Sequence, residues 1–68
     1  MKFKVGDKVK YINNPNNYTG VFNVGDSLEI INIINIVGEK APLYACIKDN
    51  PEIYECFDAY ELELINEN

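Results

Sequence analysis

Phe22-Asn23-Val24-Gly25-Asp26-Ser27-Leu28-Glu29-Ile30-Ile31 repeats, at an offset of 19 residues, the pattern of Phe3-Lys4-Val5-Gly6-Asp7-Lys8-Val9-Lys10-Tyr11-Ile12. Phe, Val, Gly, Asp and the final Ile are identical, and Val9/Leu28 and Tyr11/Ile30 stay apolar. Each copy reads as a turn followed by a strand. Gly supplies a positive φ, and Asp can bond a nearby backbone N–H. Two copies are too few for a solenoid. They predict two strands that enter one β structure in the same way.

Outward from the echo, β-type periodicity continues. Lys8 to Ile12 alternates charged and apolar residues, so one face is wet. Asn13-Asn14-Pro15-Asn16-Asn17 breaks it, and a long excursion runs through Tyr18 to Phe22. Ser27 to Val37 is apolar on both parities, with Asn32 interrupting one, which predicts a β-bulge or bend near Ile31–Ile33. A helix is disfavoured there by the β-branched run. Gly38 to Pro42 is a turn, Leu43 to Lys48 a third strand, Asp49 to Glu52 a turn, and Ile53 to Phe57 a fourth strand. Asp58-Ala59-Tyr60 suits one 3₁₀ turn. Glu61 to Ile65 alternates cleanly as a fifth strand, and residues 66–68 form a polar tail. The expected core is Val5, Val9, Leu28, Ile30, Ile34, Ala45, Ile47, Cys56, Leu62 and Leu64.

This order describes an all-β fold: a single small five-stranded barrel over residues 1–65 with a 3₁₀ turn before the last strand. The opening Val5-Gly6-Asp7-Lys8-Val9 and the ending Tyr54 to Ile65 resemble the first strand and the closing strands of SH3-like barrels. They are also similar to short uncharacterised proteins of Gram-positive bacteria and their phages. The resemblance spans nearly the whole chain, but its motifs specify architecture and not activity.

Composition narrows the function. The chain has 68 residues, 47% hydrophobic, with no histidine, tryptophan or arginine and a net charge of −5. A domain this small buries only about 60% of its unfolded surface and is marginal alone. No apolar run is long enough for a membrane helix. The charged start has no apolar stretch behind it, so it is not read as a signal peptide, and a cytoplasmic setting is expected. There Cys46 and Cys56 are expected as thiols. A four-residue turn would place Ala45 across from Cys56, with the cysteines on opposite faces. A five-residue turn would place the two cysteines directly across from each other.

Catalysis is not expected. A cysteine nucleophile would lack a histidine base, and Glu61 and Glu63 read as the wet face of a strand beside Leu62 and Leu64. No metal or cofactor is expected. Instead the chain reads as a small acidic binding module with a protein partner that is basic. Its last twenty residues hold Asp49, Glu52, Glu55, Asp58, Glu61, Glu63 and Glu67 with no lysine. The partner-binding residues expected are Tyr18, Tyr44 and Tyr60 as aromatic anchors, with Asp58, Glu61 and Glu63 steering. One alternative is a phage anti-defence protein acting as a nucleic-acid mimic or nucleotide sponge. A second is nucleic-acid binding through Lys2, Lys4, Lys8, Lys10 and Tyr11, since residues 1–10 carry four lysines and one carboxylate. The long, apolar second strand also suggests an edge for a homodimer.

Overall fold

A computed structural model describes residues 3–15, 17 and 19–65. It contains five strands: β1 (Lys8–Tyr11), β2 (Ser27–Ile34), β3 (Leu43–Ile47), β4 (Tyr54–Phe57) and β5 (Leu62–Leu64), with a 3₁₀ turn (Ala59–Glu61) before β5. They form one antiparallel sheet in the order β4-β3-β2-β1-β5. The sheet is open, with β4 and β5 as its edges. β2 therefore lies between β1 and β3 and is not an edge strand of the sheet. No helix among the described residues is long and apolar enough to cross a membrane.

The sequence echo becomes a local two-fold relation between β1 and β2. In each copy the Gly-Asp turn closes by an i→i+3 bond, Asp7 N–H to the Lys4 carbonyl and Asp26 N–H to the Asn23 carbonyl, both 3.0 Å. In each, the aspartate carboxylate accepts the N–H of the residue three places earlier, at 2.9 Å. Gly6 and Gly25 take φ of 97° and 104°, the left-handed region such turns require. The turns then clip each other's strand. Gly6 N–H donates to the Ile30 carbonyl, and Gly25 N–H to the Tyr11 carbonyl, both 2.8 Å. Ile30 and Tyr11 donate back to the carbonyls of Asp7 and Asp26. Val9 and Leu28, equivalent in the echo, face each other in register.

The bulge falls where the broken parity of β2 places it. Ile30 pairs with Cys46 and Asn32 with Ala45, so Ile31 is the extra residue. The Asn32 side chain caps the irregularity by accepting Ile33 N–H at 2.9 Å. The four-residue turn is realised between β3 and β4: Ala45 pairs with Cys56 and Cys46 with Glu55. Ile53 N–H donates to the Asn50 carbonyl, and the Asn50 side chain accepts Glu52 N–H.

The core contains Val9, Tyr11, Phe22, Leu28, Ile30, Tyr44, Cys46, Phe57 and Leu62. Aromatic rings join its two ends. Phe3 meets Tyr44 edge-on at 5.2 Å between centroids, and Phe57 receives Tyr11 at 4.9 Å and Phe22 at 5.8 Å. Tyr44 and Phe57 are cross-strand neighbours, so the two echo phenylalanines cover one aromatic pair.

Half of the expected core is elsewhere. Val5 (57% exposed) rides a turn, and Leu64 (44%) lies on the edge strand. Cys56 is exposed, and Ile34 and Ile47 are half-buried. Ala45 is buried, but on the face opposite Tyr44 and Cys46. The inward parity of β3 and β4 is thus the reverse of the expected one. Burial of two aromatic rings outweighs burial of Leu43, Ala45, Ile47 and Cys56.

Candidate functional site

Of the six residues expected to bind a partner, the five described ones do not share one surface. Tyr44 is 1% exposed and turned inward against Phe3, which makes it a core residue and no anchor. Tyr18 lies outside the described residues. Tyr60 is exposed, and its carbonyl accepts the Asn13 side-chain N–H at 3.0 Å, tying the end of β1 to the 3₁₀ turn. Glu61 is 9% exposed and serves the turn: its Oε1 accepts Asp58 N–H at 2.9 Å, and its own N–H donates to the Asp58 carbonyl. Burial raises its carboxyl pKa above the ordinary 4.5; the Asp58 N–H opposes the shift and the Asp58 charge adds to it. Asp58 is half-buried at the head of the turn. Glu63 is exposed on β5, across from Lys10. Glu61 and Glu63 therefore do not form the paired row expected of one strand face, because Glu61 belongs to the 3₁₀ turn.

Acidic residues neighbour the described lysines of the strip, but among the described residues only Lys4 comes within ion-pair distance of one. Lys4 approaches Asp7 at 3.5 Å, Lys8 faces Glu29 across β1–β2, and Lys10 faces Glu63 across β1–β5. Tyr11, its expected stacking aromatic, is 1% exposed against Phe57. Lys2 lies outside the described residues. Lys48 is also engaged: its Nζ lies 2.9 Å from Asp26 Oδ2 and 3.1 Å from the Val21 carbonyl. That contact, with the Asn23 N–H beside it, holds the Asp26 carboxyl below its ordinary value.

A different surface stands out. With Tyr44, Cys46 and Phe57 inward, Ala45 and Cys56 alternate to the outer face, as do Ile47 and Tyr54, which pair in register. Ile31, Asn32, Ile34, Ala45 and Tyr54 line a shallow hollow of about 170 Å³ on this face. Ile31 is 37% and Tyr54 56% exposed. The bulge matters here, since it places Ile31 beside Asn32 against the single residue Ala45. A smaller hollow, about 130 Å³, lies between Val21, Phe22, Lys48, Asp49, Asn50 and Ile53. The outer face carries little acid–base chemistry. Burial, then the Glu55 charge, raises the Cys56 pKa above 9.0, so the exposed thiol is a poor thiolate source. Burial pushes Cys46 up to about 12.

The outer face had a signal in the sequence. Leu43-Tyr44-Ala45-Cys46-Ile47 is apolar at every position, the mark of a strand covered on both faces. Ile31 and Ile34 extend that surplus onto β2. No family model, no curated protein and no solved structure matches this chain.

Proposed function

We propose that this protein is a non-enzymatic binding module built on an SH3-like barrel, and that its partner is a protein. The barrel reading is supported by the strand order, the bulge that bends β2 in mid-course, and the 3₁₀ turn that precedes β5. The observation that carries the binding reading is the apolar outer face of β2–β3–β4, with Ile31 and Tyr54 exposed around a hollow. Few polar groups converge on that hollow, which suits apolar anchoring better than chemistry on a small substrate. The partner's charge follows from the neighbourhood. Asp49 and Glu52 lie at the turn between β3 and β4 and Asp58 directly follows β4, and residues 49–65 contain no lysine. A basic surface would be steered to this side.

This reading keeps the acidic module expected from the sequence and moves its contact surface. The mimic alternative needs rows of surface carboxylates, and Glu61 is committed to its own turn while Glu63 sits beside Lys10. The test is affinity capture from a bacterial lysate, nuclease-treated, at low and high salt, with wild type beside an Ile31→Lys/Tyr54→Lys variant of unchanged melting behaviour. A basic protein held by wild type, released by salt and not held by the variant is the expected result. Capture that survives both substitutions refutes this surface. Retention of nucleic acid alone in an untreated lysate refutes the protein partner.

A further inference from the structure

We infer that the partner docks by adding a β-strand to the free edge of β4, and that this strand has an apolar centre and basic flanks. The inference rests on the binding reading above and specifies its geometry.

The orientation of the edge follows from the ladder. Ile30 directs its N–H and C=O to Asp7 and Gly6, on the β1 side of β2. Peptide groups alternate sides along a strand, so Glu29 addresses Ile47 of β3. Along β3 the same alternation turns Cys46 toward Glu55, and Tyr44 toward Phe57. In β4, therefore, Glu55 and Phe57 face β3, and the N–H and C=O groups of Tyr54 and Cys56 point away from the sheet. Among the described residues β4 is the last strand on that side, and both side chains are exposed. An unpaired row of this kind is a template for strand addition.

Side chains then select the occupant. Residues of an added strand opposite Tyr54 and Cys56 would project to the outer face, at the rim of the hollow formed with Ile31, Ile34 and Ala45. They should be apolar. The ends of the added strand would lie beside Asp49 and Glu52 at the β3–β4 turn, and beside Asp58 where β4 ends. They should be basic. A second copy of this chain does not fit. Antiparallel pairing of two β4 strands sets Glu52 of one near Asp58 of the other, and parallel pairing sets like residues together. The β5 edge is a weaker candidate: it has three residues, and its acidic Glu63 already faces Lys10.

The probe is a synthetic peptide with alternating valine and threonine at its centre and two lysines at each end. Its twin carries glutamates in place of the lysines. Binding is followed by amide NMR and hydrogen exchange on the full chain. The lysine peptide should bind and slow exchange at Tyr54 and Cys56, and the glutamate twin should not bind. Cys56→Pro, which removes an outward N–H and blocks the edge, should weaken binding about thirtyfold, or about 2 kcal/mol. Tyr54→Lys, which leaves the backbone intact, should also weaken it by placing a cation at the site. Binding that shifts Ile31, Ile34 and Ala45 but leaves exchange at Tyr54 and Cys56 unchanged overturns strand addition and leaves the binding module standing. No binding of the lysine peptide at low salt overturns it too, while lysate capture decides the module separately. Equal binding of both peptides overturns the basic flanks.

Discussion

Replacing Lys48 by methionine tests how the second Gly-Asp turn is held to the rest of the sheet. Lys48 follows β3, 22 residues beyond Asp26, and its ammonium bonds both the Asp26 carboxylate and the Val21 carbonyl. The two side chains keep 29% and 25% of their surface in contact with solvent, so this is neither a buried pair nor a free surface pair. A charged hydrogen bond contributes about 1.5–3 kcal/mol when well enclosed, and an exposed ion pair about 0–1. Discounted for screening, Lys48→Met should cost about 1.5 kcal/mol, since the methionine keeps the apolar stem but leaves the carboxylate with only the Asn23 N–H. For a domain of this size that is a fall of about 6–12 °C in Tm. Thermal and urea denaturation at several pH values read it. Asp26 has a lowered folded-state pKa, so the contribution of the pair is fully present above about pH 5 and fades as pH falls through the lowered value. Wild type and variant should therefore converge in acid. In a double-mutant cycle with Asp26→Asn, the coupling should be about 1 kcal/mol. A loss of equal size at pH 7 and in strong acid, or a coupling near zero, refutes the assignment and leaves only the packing of the lysine stem.

Three further outcomes are expected. Gly6→Ala and Gly25→Ala should each cost about 1–2 kcal/mol in urea denaturation, because φ is positive and an added Cβ meets no atom within 4 Å at either site; a large difference between them would break the two-fold equivalence. Glu61→Gln should be more favourable relative to wild type at pH 7 than in acid, since the raised folded-state pKa means wild type loses stability as pH rises through it; a stability difference independent of pH contradicts the buried, charged reading. Iodoacetamide under native conditions should modify Cys56 and spare Cys46, which is fully buried with its pKa near 12, and mass spectrometry of the digest identifies the modified thiol.

Local chemistry was legible in the sequence, and face assignment was not. The Gly-Asp turns, the bulge at Ile31 and the 3₁₀ turn each leave a mark on a few adjacent residues: a glycine before an aspartate, a broken parity, a short polar step before alternation resumes. The register of β3 with β4 was legible only as two alternatives set by the length of one turn, of which the structure has Ala45 across from Cys56. Which face of β3 is inward depends on what lies opposite, and Leu43-Tyr44-Ala45-Cys46-Ile47 satisfies either choice. Tyrosine hides the answer further, because its hydroxyl makes it look like a rim residue while its ring fills a core. Glu61 was misread for a related reason. Strict alternation through Glu63 made it a strand residue, whereas its side chain turns back to the Asp58 N–H. The acidic neighbours of the lysine strip, Glu29 and Glu63, were not legible because other strands bring them into register with it.

The reciprocal clips of the two Gly-Asp turns decide where this chain can be rebuilt. The excursion between β1 and β2 is fastened at both ends: Ile12 and Asn13 bond the Glu61 carbonyl, and Gly25 and Asp26 bond Tyr11. Of the residues between, the described Pro15, Thr19 and Gly20 take no part in the β1–β2 pairing. Lengthening such a segment costs only about 0.6 kcal/mol per doubling. The fastened ends of this excursion thus make it a place where added sequence should leave the sheet, its aromatic core and the edge at β4 unchanged in form.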